Sequence, residues 1–375
     1  MDYLLEGFEA IAQNPKMIAM WLIGGILIFL AIKKDMEPAL LLPMGFGAIL
    51  VNLPLSPVIK DNGIINSLFQ VGISASEAMP LLLFIGIGCM IDFGPLLSNP
   101  KLFILGGAAQ LGIFITIIFA VMIGFPVDAA SSVGIIGAAD GPTAIHVANT
   151  LLGGANAFNS LIGPITVVAY SYMALVPIVQ PTVMKLCTTK KERLIKMKYN
   201  AKQVSRLMRI LFPIIVTIVS GLIAPESISL VGMLMFGNLL RECGVLKSLS
   251  ETAQTTFSNI ITLLLGITIS FQMQADAFIS INTLIIMVLG LFAFVFDTIG
   301  GVMCAKFMNL FSKQKINPLV GAAGISAFPM AARVVEKVGV KEDTSNHLLM
   351  HAVGANVSGQ IASAIVGGLI IGLVL

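Results

Sequence analysis

Three stretches of this 375-residue chain contain no Asp, Glu, Lys or Arg, and they limit the possible folds more than any other feature. They cover residues 102–127, 141–184 and 344–375. A helix needs about 20 apolar residues to cross a bilayer, so each stretch supplies one span or more. Open β-structure is excluded in lipid because its unpaired backbone groups have no partner there. The pattern predicts an all-α, multi-pass membrane protein with roughly nine to eleven hydrophobic segments.

The composition supports a lipid environment and excludes several other classes of protein. Hydrophobic residues make up 57% of the chain and charged residues only 11%, whereas about a quarter of an average soluble domain is charged. A net charge of +3 gives no support for a nucleic-acid partner. The four cysteines form no CxxC pair, which argues against a zinc site or a disulfide framework. The acidic N-terminus lacks the basic region of a cleaved signal peptide.

Basic residues divide the chain near its middle. Nine of the 22 Lys and Arg residues fall within residues 185–209, and the positive-inside rule places such a loop in the cytoplasm. Before the first apolar segment, an amphipathic stretch could form a short interfacial helix, although a frayed terminus explains it equally well. Four regions are therefore predicted: an N-terminal interfacial segment (1–15), a first membrane repeat (16–181), a basic cytoplasmic loop (182–209) and a second membrane repeat (210–375).

The two halves share a short motif. "GAADGPTAIHVAN" begins at Gly137 and "GAAGISAFPMAAR" begins 184 residues later at Gly321, and each contains a proline. Chance similarity in a chain rich in Gly and Ala remains an alternative. Paired Gly/Pro-interrupted apolar segments at matching positions are typical of transporter binding sites. A helix that breaks inside a membrane leaves free N–H and C=O groups, so the break must face protein, water or an ion.

Polar residues lie at both predicted breaks. Asp140 in the first is a candidate functional group because an intramembrane carboxylate is costly; the alternative is a helix cap in a wet loop. The second break offers Asn317 and Ser326 as neutral oxygen donors. Arg333 keeps its charge, so in an apolar setting it needs an anion, such as Asp140 or a substrate carboxylate. Snorkelling of Arg333 to the membrane interface is the alternative.

Several further residues stand out in the apolar segments. Tyr170 and Tyr172 are two of only four tyrosines, and a buried phenol can relay a proton; an aromatic belt at the interface is the alternative. Asn356 follows Tyr172 by 184 residues, the offset between the two motifs. Asp297 is interpreted as a helix-end or interface group. Ser363 belongs to a four-residue spacing of small residues that favours close helix packing.

Taken together, five blocks resemble the β subunits of the sodium-translocating, biotin-dependent decarboxylases, and the resemblance covers most of the chain. The blocks are "GIIGAADGPTAI", "AYSYMALVPIVQP", "TTKKER", "INPLVGAAGISAFPMAARV" and "MHAVGANVSGQIASAI".

The resemblance implies a fold and an activity. The fold is two inverted repeats with discontinuous helices, arranged as a scaffold and a mobile core, as in elevator-like transporters. The activity is decarboxylation of carboxybiotin presented by a biotin carrier subunit, coupled to Na⁺ export with consumption of a proton. Na⁺ and carboxybiotin are the implied cofactors. A carboxyltransferase subunit, a small membrane subunit and further copies of the chain are the implied partners, in the inner membrane of a bacterial cell.

The family's functional positions can be carried over to matching residues. The resemblance assigns Na⁺ binding to Asp140, Asn317, Ser326 and Asn356, catalysis to Tyr172, Asp140 and Arg333, and carboxybiotin binding to Arg333, Asn356 and Gly321. Tyr172 would donate or relay the proton that replaces CO₂ on biotin, and Gly321 would allow close backbone approach.

Two other functions remain open from the sequence. A secondary Na⁺- or H⁺-coupled carboxylate transporter without decarboxylase activity needs the same broken helices and the same acidic residue. A structural anchor for a soluble complex is disfavoured, because an anchor has no need for polar residues at both breaks. The acid or acyl-CoA that the whole complex uses is selected by another subunit, and the chain length leans slightly toward glutaconyl-CoA or methylmalonyl-CoA over oxaloacetate.

Overall fold

A computed structural model describes residues 2–154, 156–197 and 204–375, and these residues form helices with no β-strand among them. The first six α-helices are α1 (Asp2–Gln13), α2 (Lys16–Lys34), α3 (Pro38–Val51), α4 (Ile64–Phe69), α5 (Ala78–Met90) and α6 (Gly94–Ser98). The next six are α7 (Leu102–Ala108), α8 (Leu111–Met122), α9 (Val127–Gly134), α10 (Gly141–Leu152), α11 (Ile162–Cys187) and α12 (Lys190–Arg193).

The second half of the chain is also helical. Its α-helices are α13 (Arg206–Ile223), α14 (Ile228–Glu242), α15 (Lys247–Thr252), α16 (Ser258–Ile269), α17 (Ala275–Phe278), α18 (Ile281–Phe311), α19 (Pro318–Ala322), α20 (Met330–Glu342) and α21 (Leu349–Val374). Single 3₁₀ turns cover Pro57–Ile59, Ile135–Ala138, Asn159–Leu161, Pro225–Ser227 and Ser270–Met273, and π-helical turns cover Gln70–Ser74 and Ala253–Phe257.

Within the described residues, seven helical segments are long and apolar enough to cross a membrane. They are Lys16–Lys34, Leu102–Met122, Asn159–Cys187, Arg206–Ile223, Lys247–Met273, Ile281–Phe311 and Leu349–Val374. Pro57–Ser74 and Ala78–Met90, bent by 66° at their junction, form an eighth if they count as one span. The chain is therefore an integral membrane protein, and the all-α prediction is confirmed.

The number of spans is lower than the predicted nine to eleven segments. Several apolar helices are too short to cross: α10 has 12 residues, or about 18 Å of helix, against a hydrocarbon core of about 30 Å. These short helices form two hairpins. Hairpin A comprises α9, the 3₁₀ turn Ile135–Ala138 and α10; hairpin B comprises α19, the break at residues 323–329 and α20.

Local sequence explains where both hairpins break. Pro142 occupies the first turn of α10, where its missing N–H is not needed. The residue between the 3₁₀ turn and Asp140 is Ala139, which adopts a left-handed conformation with φ of 52° and so ends the helix. In hairpin B, Asn317 caps α19 by accepting the N–H of Leu319 at 3.1 Å, and Pro318 begins that helix.

Helix α11 passes hairpin A first. Just before α11, the Asn159 amide donates to the Leu152 carbonyl at the open end of hairpin A (3.2 Å). Further along, the Tyr170 ring packs directly over Gly141, close to the tip of the same hairpin. The start of α11 therefore lies beside the open end of hairpin A, and its middle lies beside the tip.

The same helix then passes hairpin B in the reverse sense. The Gln180 amide donates to the Ala322 carbonyl at the break (2.7 Å). Beyond α11, the carbonyl of Arg193 in the basic loop accepts from Asn317 at the open end of hairpin B (2.8 Å). The two hairpins consequently enter the molecule from opposite ends of α11, a helix of 26 residues that is about 39 Å long.

Two further long helices complete the surroundings of the hairpins. Helix α21 begins beside α20, where Glu336 accepts the N–H groups of Leu348 (2.7 Å) and Leu349 (2.8 Å), and it then runs past both tips. Helix α18 packs on the other side, where Gly301 and Gly321 bring their backbones together. A second group of helices, α2, α3, α5, α14 and α16, packs through its own glycine contacts, including Gly24 with Gly45 and Gly88 with Leu234.

Candidate functional site

The tips of the two hairpins meet in the interior of the protein. Ser326 donates twice to the carbonyl of Ala138, through its backbone N–H (3.1 Å) and its hydroxyl (2.7 Å). Both residues are buried. A carbonyl left free by one helix break is thus satisfied by groups at the other break, as a buried polar group requires. The contact brings together the two motifs that the sequence places 184 residues apart.

Asp140 is the charged group at this junction. Its side chain is 3% exposed, and no ion pair in the described part of the chain includes it. Its Oδ2 accepts from the Thr143 hydroxyl (2.6 Å), the Gln360 amide (3.0 Å) and the Ser363 hydroxyl (3.1 Å). Asp140 is therefore held by one residue of its own hairpin and two of α21.

The donors around Asp140 can change roles. A hydroxyl donates one hydrogen bond and also carries acceptor lone pairs, and a glutamine side chain has a carbonyl oxygen beside its amide nitrogen. Thr143, Ser363 and Gln360 are therefore able to turn an oxygen toward a cation held by the carboxylate. Oxygen atoms of this kind are the ligands that hard cations choose.

Hairpin B is surrounded by buried amides with free oxygens. Gln180 donates to the Ala322 carbonyl, Asn356 to that of Ile325 (2.6 Å), and Gln110 to that of Gly106 (3.1 Å) and, at 3.5 Å, that of Gly324. The oxygen atoms of these three amides are buried, and none has a hydrogen-bond partner among the described residues. Buried acceptors are rarely left unpaired, so three around one break indicate a place for a donor or a cation.

The two tyrosines of α11 have different surroundings. Tyr170 lies against Gly141, and its buried hydroxyl has no hydrogen-bond partner within the described part of the chain. Tyr172 faces α18 instead, where its ring contacts Gly290 and its hydroxyl donates to the Met287 carbonyl. The tyrosine beside Asp140 is thus Tyr170, while the proton-relay role predicted for Tyr172 stays a prediction.

The structure does not bring Asn317 to the junction. It lies at the end of α19 away from the break, and its amide donates to the carbonyls of Arg193 and Ile195, both at 2.8 Å. Its role as a Na⁺ ligand remains a prediction. Gly321 lies where α19 touches α18, and a methyl group there would overlap the carbonyl of Gly301.

Arg333 also lies apart from Asp140. It is exposed in the first turn of α20, and its charge acts on Glu37 in the turn between α2 and α3. Burial raises the pKa of the Glu37 carboxyl above its ordinary value, and the Arg333 guanidinium partly opposes that effect. Arg333 therefore faces an acidic neighbour at the surface of the described protein, and its predicted role toward carboxybiotin stays a prediction.

A basic cavity of about 540 Å³ opens beside the loop end of hairpin B. Its wall includes Lys101, Lys196 and Lys315, together with Ile316, the neighbour of Asn317. Lys196 pairs with Asp343 at 3.0 Å. Hydrogen bonds from Ser345 and the charge of Lys196 lower the pKa of the Asp343 carboxyl to about 2, so this pair stays ionised at neutral pH.

The sequence interpretation missed several polar residues of the junction. Thr143, Gln360 and Ser363 are common helix residues, and only their tertiary contacts with Asp140 distinguish them. Asp297 was wrongly interpreted as a helix-end or interface group: it is fully buried in the middle of the 31-residue α18. An isolated carboxylate between long apolar runs was the available signal.

Comparisons with known proteins place the chain in a family. Residues 16–374 match the family described as the Na⁺-transporting oxaloacetate decarboxylase beta subunit. The methylmalonyl-CoA decarboxylase subunit beta of Propionigenium modestum is 46% identical over 399 residues, with 99% of this chain and 98% of the relative covered. The glutaconyl-CoA decarboxylase subunit beta of Acidaminococcus fermentans is 44% identical over 381 residues, with 100% and 99% covered.

A third relative acts on a different substrate class. The oxaloacetate decarboxylase beta chain of Klebsiella pneumoniae is 40% identical over 436 aligned residues, with 100% of this chain and 99% of the relative covered. The agreement of these full-length matches with the family model confirms the resemblance, and this chain belongs to the family of beta subunits of the Na⁺-transporting decarboxylases.

Proposed function

We propose that the chain decarboxylates carboxybiotin presented by a biotin carrier subunit and couples that reaction to Na⁺ export with consumption of a proton. One observation carries the proposal: Asp140 is buried where two broken hairpins meet, surrounded by side chains whose oxygens can ligate a cation. A structural anchor would have no use for this arrangement. Asp140 holds Na⁺ together with oxygens from Ser326 and Asn356, and Asn317 joins them if the hairpin rearranges.

The decarboxylation needs little from the protein beyond positioning and charge. The bond between the carboxyl carbon and the biotin nitrogen breaks, CO₂ leaves, the electron pair stays on nitrogen, and a proton bonds to that nitrogen. Arg333 holds the departing carboxylate, with Asn356 and Gly321 shaping the pocket, and Tyr172 supplies or relays the proton. The basic cavity beside Ile316 suits the approach of an anionic, carboxylated carrier.

The coupling is electrostatic. Na⁺ beside Asp140 lowers the affinity of that carboxylate for a proton, and a proton there weakens Na⁺ binding. Unit charges about 4 Å apart interact with roughly 4 kcal/mol at an effective dielectric constant of about 20. This energy is large enough to make the two cations compete for one site.

The proposed architecture is a pair of inverted repeats that form a scaffold and a mobile core. It is supported by the order of elements, because a broken hairpin followed by a long helix occurs twice, as hairpin A with α11 and hairpin B with α21. The repeats would comprise residues 16–181 and 210–375, after an interfacial segment at 1–15 and around a cytoplasmic loop at 182–209. Helices α11 and α13 extend into that loop region.

The complex would lie in the inner membrane of a bacterial cell. Its further members would be a carboxyltransferase subunit, a small membrane subunit and additional copies of this chain. We favour glutaconyl-CoA or methylmalonyl-CoA slightly over oxaloacetate, and the relatives include all three kinds of decarboxylase subunit. Assaying the purified complex with each substrate decides among them.

Asp140→Asn tests the function directly. The substitution preserves shape but removes the charge, so we expect loss of both Na⁺ transport and Na⁺-dependent decarboxylation by the complex in proteoliposomes. Asp61→Asn, in an exposed turn, serves as the matched control and should behave as wild type. Full Na⁺-coupled activity of Asp140→Asn would refute the assignment.

A carrier without decarboxylase activity is the second candidate. It predicts Na⁺-driven carboxylate uptake by the isolated chain and no biotinylated partner detectable with avidin. Co-purification of a biotinylated subunit together with substrate-dependent CO₂ release supports the decarboxylase instead.

A further inference from the structure

Asp297 is a second fully buried carboxyl group beside the hairpin junction. It lies in the middle of α18 with 0% of its side chain exposed. Asp140 and Asp297 are the only acidic residues that are buried in the described part of the chain. No ion pair among those residues involves either of them.

One oxygen of Asp297 has a structural partner. Oδ1 accepts the backbone N–H groups of Gly112 (2.5 Å) and Ile113 (3.2 Å) at the start of α8. Helices α7 and α8 are separated by a break, so these N–H groups have no partner within their own helix. Oδ1 therefore caps α8, which an asparagine oxygen would do equally well.

The other oxygen of Asp297 has no such explanation. Oδ2 is buried and has no hydrogen-bond partner among the described residues. It lies against Gly137, in the 3₁₀ turn that leads to Asp140, where an added methyl group would come within 2.5 Å of it. The hydroxyl of Thr116, one turn along α8 from Gly112, is also buried without a partner.

The elements packed around Asp297 provide no fixed counter-charge. Helices α7, α8 and α19 contain no titratable group. The titratable groups on the other neighbouring elements are Asp128, Asp140 and His146 of hairpin A, Tyr170, Tyr172, Lys185 and Cys187 of α11, and Cys304 and Lys306 of α18. Lys306 is nine residues from Asp297 and pairs with Glu192 at 3.1 Å.

We propose that Asp297 is a second cation-binding group of this protein and that its ligand is a proton, which binds at Oδ2. Two opposing effects make the carboxyl exchangeable. Burial away from water disfavours the ionised form, whereas two N–H donors and the positive end of α8 favour it.

The surroundings of Asp297 select a proton over Na⁺. Sodium needs several oxygen ligands, and the groups that contact Asp297 Oδ1 are backbone N–H donors, which cannot ligate a cation. The positive end of a helix also repels a metal ion. Around Asp140, by contrast, two hydroxyls and a glutamine have oxygens to offer. The two carboxyls therefore divide the cations between them.

The exchange step is simple. Oδ2 takes a proton from water to form the neutral acid and returns that proton to water when the carboxylate forms again, with no other bond changed. The 3₁₀ turn carries Gly137 against Asp297 and leads three residues later to Asp140, so a change at one carboxyl displaces the other. Only this coupling rests on the proposed function; the protonation itself does not.

Infrared difference spectroscopy tests the protonation without relying on activity. The full-length protein, purified with its partner subunits, is titrated with acid while the carbonyl stretch of protonated carboxyl groups is recorded. We expect a titrating band in wild type that is absent from Asp297→Asn and retained in Asp140→Asn and in Asp61→Asn. An unchanged band in Asp297→Asn would overturn the proposal. If that variant does not fold, loss of every titrating band in Asp140→Asn overturns it instead.

Transport measurements separate this proposal from the proposed function. In proteoliposomes, Asp297→Asn should lower the amount of Na⁺ moved per CO₂ released on the order of tenfold, within the usual range of coupling between two sites. The pH dependence of transport should flatten at the same time. A wild-type pH profile and stoichiometry in Asp297→Asn contradict the coupling role. A wild-type complex that moves no Na⁺, but retains the Asp297 band, refutes the proposed function alone.

Discussion

Tyr170 and Tyr172 are two residues apart on α11, yet their hydroxyl groups face different parts of the protein. The Tyr172 hydroxyl has a hydrogen-bond acceptor in Met287, whereas the buried Tyr170 hydroxyl has no partner among the described residues and the Tyr170 ring covers Gly141. An unpartnered buried hydroxyl contributes nothing to folding, so its retention beside a carboxylate indicates a ligand.

Substitution of each tyrosine by phenylalanine distinguishes the two roles. We expect Tyr170→Phe to keep or raise thermal stability while weakening Na⁺ binding about tenfold, which corresponds to about 1.4 kcal/mol. Tyr172→Phe should lower the free energy of unfolding by about 1 kcal/mol, the usual value of one hydrogen bond. Thermal unfolding in detergent and Na⁺ titration of decarboxylation measure both effects. Equal Na⁺ affinity in Tyr170→Phe and wild type would exclude the phenol as a ligand.

At this scale the sequence predicts charged residues better than neutral ones. Asp140 is conspicuous because a carboxylate is rare in an apolar segment, and its contacts with Gln360 and Ser363 support attention to it. Those two residues have no distinguishing property of their own. Asp297 carried the same signal as Asp140, but its position between apolar runs was compatible with a helix end, and only the fold places it mid-helix.

Close backbone contact between α18 and α19 depends on a pair of glycines. A Cβ atom on Gly321 would come within 2.5 Å of the Gly301 carbonyl carbon and still closer to its oxygen. Neither backbone can move easily, because Gly301 lies within a long helix and Gly321 within a short helix fixed at both ends. The carbonyl of Ala322, next to Gly321, also receives the hydrogen bond from Gln180.

Gly321→Ala is therefore expected to push α19 away from α18. Overpacking of this kind costs about 1–3 kcal/mol, and it would also displace the break that carries Ser326. The free energy of unfolding and the Na⁺ affinity should both fall. Gly232→Ala is the matched control, because it adds a methyl group to a membrane helix where nothing lies within 4 Å. Equal stability of the two variants would show that the glycine contact is unimportant.

The individual elements were more predictable than their arrangement. Glycine and proline at residues 137–142 and 318–329 mark helix breaks from local chemistry alone, and both breaks are present. The contact of Ser326 with Ala138 joins residues 188 apart. No local pattern specifies which carbonyl a distant serine reaches, because that pairing depends on how four helices pack together.

Across the whole molecule, composition was sufficient to predict an all-helical membrane protein, because lipid permits few other folds. The proposed scaffold and mobile core are a different matter, since a single conformation contains no record of motion. The structure does offer a contact that such motion must break. His146 on hairpin A pairs with Glu77 at the start of α5, with Nδ1 and Oε2 2.5 Å apart, and both side chains are largely buried.

Crosslinking across this contact tests the elevator proposal. Hairpin A would belong to the mobile core and α5 to the scaffold, so a link between them should stop the cycle. We expect the double variant Glu77→Cys/His146→Cys, treated with a short cleavable thiol crosslinker, to lose Na⁺ transport and to regain it when the linker is cleaved. Each single variant, treated in the same way, controls for the four native cysteines and for loss of the pair. Undiminished transport by the fully crosslinked protein would show that hairpin A and α5 move together, and the elevator arrangement with this division would then be excluded.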